Sequence, residues 1–108
     1  MEDLTIAEMK EMQRQLQEKY REKWEKLSPE AGKHQLLWMI GEIGEVIDII
    51  KKKGSAAIME DPAVRAHFVE EMADVLMFYS DLLLCYDIAP EDLKRAYTEK
   101  FRRNMDRW

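Results

Sequence analysis

Ile40-Gly41-Glu42-Ile43-Gly44-Glu45-Val46-Ile47 sets two glutamates three residues apart inside an apolar run, and Val69-Glu70-Glu71-Met72-Ala73-Asp74-Val75-Leu76 does the same with Glu71 and Asp74. With about 3.6 residues per turn, each pair falls on one side of a helix. Around the first pair, Leu36, Met39, Ile40, Ile43, Ile47 and Ile50 share one broad face, with Glu42 and Glu45 at its margin beside Trp38 and Ile49. Around the second, Phe68, Met72, Val75, Leu76, Tyr79 and Leu83 define the core face, with Glu71 and Asp74 at its margin in line with His67 and Phe78. If the two helices pack antiparallel, the four carboxylates converge. Carboxylates are costly to bury without compensation of their charge, and like charges at this spacing repel mildly. In a chain with 22 Asp and Glu, either pair alone could be solvated surface. Two such pairs, both with apolar flanks, point to a metal site.

Helical periods continue in both directions from these motifs. Ile6, Met9, Met12, Leu16, Tyr20, Trp24 and Leu27 recur every three or four residues, which predicts a first amphipathic helix with a charged outer face. Ser28-Pro29 stops it and starts a second helix, running roughly from Gly32 to Lys53 and capped by Gly54. Residues Ser55 to Glu60 read as a connector. Asp61-Pro62 opens a third helix that runs to about Tyr86, and Pro90-Glu91-Asp92 opens a fourth that continues to near Arg107. No alternating strand pattern and no repeat at solenoid spacing occurs. The expected fold is all-α, a single domain over residues 1–108, with four helices in a bundle completed by oligomerisation. Gly41 and Gly44 lie inside a helix and suggest close helix approach near the metal site.

The bulk composition narrows the function. Of 108 residues, 46% are hydrophobic and 36% charged, a folded composition rather than a disordered one. The net charge of −5 argues against nucleic-acid binding, which calls for a basic surface. A small anionic substrate held through metal ions remains compatible with it. The single Cys85 excludes an internal disulfide framework and fits a reducing compartment. No stretch approaches the ~20 apolar residues of a membrane span, and Met1 to Lys10 carries no apolar run like a signal peptide. The expected location is therefore the cytoplasm, with no membrane partner.

Oxygen ligands alone, with no Cys and little His, suit Mg²⁺, with Mn²⁺ the other candidate, rather than Zn²⁺. The oxygen-rich loop of a calcium-binding EF-hand is absent. A di-iron bundle would need Glu-x-x-His pairs, whereas Glu45 and Asp74 stand at the positions three after Glu42 and Glu71.

The ordered pair of motifs resembles the all-alpha nucleoside triphosphate pyrophosphohydrolases of the MazG-like group. Their pattern is Glu-x-x-Glu on one helix and Glu-x-x-Asp on the next. Gly-Glu-Ile-Gly-Glu-Val and Glu-Glu-Met-Ala-Asp-Val-Leu are especially similar to the dCTP pyrophosphatases, and Lys100-x-x-x-Asn104-x-x-Arg107 resembles a third, C-terminal element of those enzymes. The resemblance runs from Leu36 to Trp108, about two thirds of the chain. It implies Mg²⁺-dependent cleavage of a nucleoside triphosphate between the α and β phosphates, giving the monophosphate and pyrophosphate in nucleotide-pool sanitation. Glu42, Glu45, Glu71 and Asp74 would then be metal ligands and catalytic groups, with Lys100, Asn104 and Arg107 on the phosphate or sugar. Phe78 stands where the dCTP-type enzymes carry Tyr, and Trp24 aligns with one of their first-helix aromatic residues only through a small insertion; the resemblance implies that both contact the substrate nucleotide. The resemblance also implies a homodimer or homotetramer.

Other residues have blander readings. His67 reads as a boundary residue or a partner for a neighbouring carboxylate, Asp81 as surface, Trp38 as interface and Cys85 as packing. The competing functions are a non-catalytic helical oligomer that binds a protein partner and a nucleotide-sensing relative without turnover.

Overall fold

The computed structural model describes residues 2–107, all of its regular structure helical. Met1 and Trp108, the outer limits of the expected domain and resemblance, lie outside the described residues. Five α-helices are present: α1 Ile6–Lys19, α2 Gly32–Lys53, α3 Ser55–Glu60, α4 Pro62–Cys85 and α5 Pro90–Arg107, with a 3-10 turn over Pro29–Ala31 before α2.

Local signals place most of the boundaries. The Glu8 amide donates to Thr5 Oγ1 at 3.0 Å and the Thr5 amide donates to Glu8 Oε1 at 2.9 Å, a reciprocal cap on α1. Ser28 and Asp61 cap the two Pro-led starts. Asp87, at φ 49°, closes α4 in the left-handed region, and the Ile88 amide donates back to the Leu83 carbonyl.

Two expectations change. The stretch from Ser55 to Glu60 is a short helix rather than a plain connector, because Gly54, at φ 84°, turns the chain and lets it re-enter helix at once. The first helix stops at Lys19 instead of continuing to Leu27. There the Tyr20 carbonyl accepts from both the Lys23 and Trp24 amides, and the rings of Tyr20 and Trp24 stack at 4.7 Å. A tight turn thus satisfies the same four-residue apolar spacing that a helix would.

α2 and α4 form the antiparallel centre of the molecule. Gly32, at the start of α2, lies against the Tyr86 ring at the end of α4, and Glu42 lies beside Glu71 and Asp74. A Cβ at position 32 would run into that ring. α1 packs on α4, and α3 packs on both central helices.

The packed faces overlap those the apolar pattern suggested, with Met39, Phe68, Val75 and Leu83 sheltered, but they are turned toward the acidic side. On α2 the sheltered positions are Gly32, Gln35, Met39, Glu42, Val46, Asp48 and Ile49, while Ile40 is 60% exposed. On α4, Glu71, Asp74, Phe78 and Asp81 face inward, while Leu76 is 51% exposed. On α1, Gln13 is buried and Met12 is 50% exposed. The intramolecular core is small: Ala31, Ile49, Ile58, Leu83 and Cys85 are its buried apolar residues. Among the described residues, α5 has no buried residue, and no other helix packs extensively along it.

Candidate metal centre and adjoining cavity

Glu42, from the middle of α2, meets Glu71 and Asp74, one turn apart on α4. Each offers a carboxylate oxygen, and these oxygens all lie within 4.8 Å of one another. All three residues are half-buried. Burial raises the Glu42 carboxyl above its ordinary range, and the nearby charges of Asp74, Glu71 and Glu45 push it further in the same direction. The carboxylates therefore repel one another in a partly desolvated place, an arrangement that a divalent cation would relieve. The donor set is all oxygen, as a hard cation prefers.

Glu45 lies outside this three-carboxylate group and is exposed, although its charge is felt at Glu42. His67 Nδ1 stands 3.9 Å from Glu71 Oε1, so the histidine flanks the acidic group. Gly41 and Gly44 do not mark a close approach within the chain: a Cβ added at either would meet nothing within 4 Å.

A cavity of about 1040 Å³ opens from Glu42 and Asp74 along the groove between α1, α2 and α4. Trp24 and Phe78 both line it, so these two residues carried over from the resemblance share the cavity that the acidic group borders. The loop carrying Trp24 is held over the start of α2 by a Glu25 carboxylate 3.0 Å from His34 Nδ1. Lys100, Asn104 and Arg107 ride on α5 and are not among the cavity's lining residues.

The sequence reading missed the far wall of this cavity. Asp81 is not a surface residue but is 4% exposed, with its Oδ1 accepting from the Gln13 amide nitrogen at 3.0 Å. Burial raises its carboxyl above the ordinary range, and the Gln13 and Gln17 amides pull it back. The available signal was position: Asp81 follows Asp74 and Phe78 on the same helical stripe, and Gln13 is an amide between Met9 and Leu16 on the apolar stripe of α1. Trp38, expected at an interface, borders the cavity as well. Cys85 is buried, as expected of packing, and burial raises its thiol.

The family model of the MazG nucleotide pyrophosphohydrolase domain matches residues 28–107, which include α2, both acidic motifs and α5. No curated protein and no solved structure matches the chain. Among the described residues no helix is long and apolar enough to cross a membrane.

Proposed function

The chain belongs to the MazG nucleotide pyrophosphohydrolase family, and from that premise we propose that it hydrolyses a (deoxy)nucleoside triphosphate between the α and β phosphates, releasing the monophosphate and pyrophosphate. The observation that carries this reading is the meeting of Glu42, Glu71 and Asp74 at one end of a cavity of about 1040 Å³. That volume is at the upper end of the range typical of small-molecule sites.

Glu42, Glu71 and Asp74, joined by Glu45 on the next turn of α2, would hold Mg²⁺, or Mn²⁺ in its place. When bound, the cation neutralises phosphate oxygens and makes a water molecule more acidic. One of the glutamates accepts the proton of the attacking water, which requires only hydrogen-bond reach and an ionised carboxylate. Trp24 and Phe78 provide apolar surface for the nucleoside and keep bulk water from that part of the groove.

The working enzyme is a homodimer or homotetramer in this reading, acting on the cytoplasmic nucleotide pool. Leu36, Ile40, Ile43 and Ile47 on α2 and Val69, Met72 and Leu76 on α4 are all exposed in the single chain. A continuous apolar face of this kind on two neighbouring helices fits a second copy of itself. α5 carries its own exposed row, Tyr97, Phe101 and Met105. In an assembly, α5 of one subunit can bring Lys100, Asn104 and Arg107 to the phosphates in another subunit's groove, supplying two cations and an amide.

The test is pyrophosphate release from a nucleotide panel with and without Mg²⁺, with products separated by chromatography. The monophosphate and pyrophosphate should appear only with the cation. Absence of product from every nucleotide, or orthophosphate as the sole product, ends the proposal.

A further inference from the structure

The end of the cavity away from the acidic group is buried, polar and incompletely bonded. Asp81 is 4% exposed and Gln13 6%. The amide nitrogens of Gln13 and Gln17 both point at Asp81 Oδ1, at 3.0 and 3.5 Å. This leaves Asp81 Oδ2 and the Gln13 carbonyl oxygen as acceptors without a donor among the described residues. Gln35 of α2 also lines the cavity, is 7% exposed and makes no hydrogen bond to any described residue. Its amide atoms are not sealed off, so they remain open to the cavity. Buried polar groups in folded proteins nearly always have partners. Here two acceptors and a whole amide find no partner in the protein, and because none of these atoms is sealed off, water or a ligand can reach all of them from one space.

Their position along the groove says what that space holds. Asp81 lies seven residues beyond Asp74 on α4, and Gln35 lies seven before Glu42 on α2. In an antiparallel pair both are displaced the same way from the acidic group, by about 10 Å at 1.5 Å per residue. Trp38 and Phe78 stand between the two ends. A nucleotide with its phosphates at the carboxylates places its base at the polar end.

We infer that Asp81, Gln13 and Gln35 read the base, and that they select one carrying an exocyclic amino group beside an unprotonated ring nitrogen, the edge shared by cytosine and adenine. The inference rests on the pyrophosphohydrolase reading for the place of the phosphates and adds which base is accepted. The amino group donates its two hydrogens to Asp81 Oδ2 and the Gln13 carbonyl oxygen. The Gln35 amide donates to the ring nitrogen. Uracil and hypoxanthine put a carbonyl oxygen where the amino group belongs, so acceptor meets acceptor and the buried carboxylate oxygen stays unpaired.

The experiment uses the full chain with Mg²⁺ and compares CTP with UTP and ATP with ITP, in ribo and deoxy forms. The members of each pair differ at this edge alone. The expected kcat/KM ratio within a pair is about 100-fold or more in favour of the amino-bearing base, as for sites built to hydrogen-bond their substrate. CTP against ATP then shows whether a pyrimidine or a purine fills the space. Asp81→Asn should bring the ratio toward unity, by a loss on CTP and a gain on UTP. Gln35→Met, which keeps the side chain's bulk, should cost about tenfold on the amino-bearing base and less on its counterpart. An equal loss on both members of each pair in Asp81→Asn would assign the residue a structural role and overturn the inference. So would a wild type indifferent to the amino group. If Asp81→Asn does not fold, Gln35→Met decides by the same comparison. If the wild type hydrolyses nothing, the pyrophosphohydrolase reading fails by itself. The rise in melting midpoint with each nucleotide and Mg²⁺ then tests the base reading: a larger rise with CTP or ATP supports it, and equal rises overturn it.

Discussion

At one end of the α2–α4 pair, Gly32 lets the Tyr86 ring lie against the start of α2, and Asp81, Leu83 and Cys85 are all buried nearby. Nine residues further along α2, nothing lies within 4 Å of a Cβ placed at Gly41, and beside it Glu42, Glu71 and Asp74 crowd together half-buried. The first end is braced by packing within the chain around the polar wall of the cavity. The second is held open with unfavourable charge and an uncovered apolar flank. Packing therefore concentrates at one end and mutual repulsion of carboxylates at the other, with the groove joining them. Carboxylates that repel one another are relieved by a cation, and the acidic group depends on the packed end to hold its two helices in register.

The contrast is broken most severely at the acidic end. Glu71→Gln or Asp74→Asn should reduce Mg²⁺-dependent pyrophosphate release to background while the far-ultraviolet helical signal is retained; full activity in either variant removes these carboxylates from the reaction. The next largest effect is on assembly. Ile40→Asp and Leu76→Asp place charge on exposed positions, so each variant should keep its helices and sediment as a monomer, whereas the proposed assembly predicts a dimer or tetramer for the unaltered chain. An unaltered sedimentation coefficient would mean that the apolar face is not the contact.

The paired glycines sharpen the comparison further. Gly32→Ala must displace the Tyr86 ring, and because Tyr86 is itself exposed the ring can swing aside, for a loss of about 1 kcal/mol. Gly41→Ala meets open space in the single chain and gains up to about 1 kcal/mol of helix propensity. Denaturant titrations of the two variants should move in opposite directions. If Gly41→Ala instead weakens association, a partner helix closes on that position in the oligomer.

The smallest effect is a pH dependence. The carboxyls of Glu42 and Asp81 are both raised in the folded state. A raised carboxyl favours folding below its unfolded value, and that contribution is lost as the pH rises through the folded value. Without divalent cation, the melting midpoint should therefore fall as the pH rises from about 5 toward neutrality. Glu11, held at about 2 by Arg14, stays ionised throughout that window and does not contribute. Glu42→Gln should flatten the profile and raise the metal-free midpoint at neutral pH, and an unchanged profile would mean that the carboxylates do not strain one another.

Much of the fold was legible because its signals are local. Ser28-Pro29 and Asp61-Pro62 start helices wherever the rest of the chain lies, and Gly54 ends one, since caps act on the backbone beside them. The end of α1 was hidden because Tyr20 and Trp24 meet equally well across a turn and along a helix. The carboxylate motifs stood out by spacing. Asp81 did not, because its burial depends on Gln13, 68 residues away in sequence.

The sequence by itself determined that α2 and α4 are helices with two distinct sides, one apolar and one bearing acids, since helical period follows from backbone geometry alone. It could not say which side turns inward, because an apolar stripe is buried as well by another copy as by the same chain. Tertiary structure decided that. Helix α1 and the short α3 pack so that Gln35, Glu42, Glu71, Asp74 and Asp81 face one another across the groove, and Ile40, Ile47 and Leu76 are left outside. The physical reason is that burying apolar area rewards any partner, whereas bringing carboxylates and amides together takes a fixed helix register, which only the packed chain supplies.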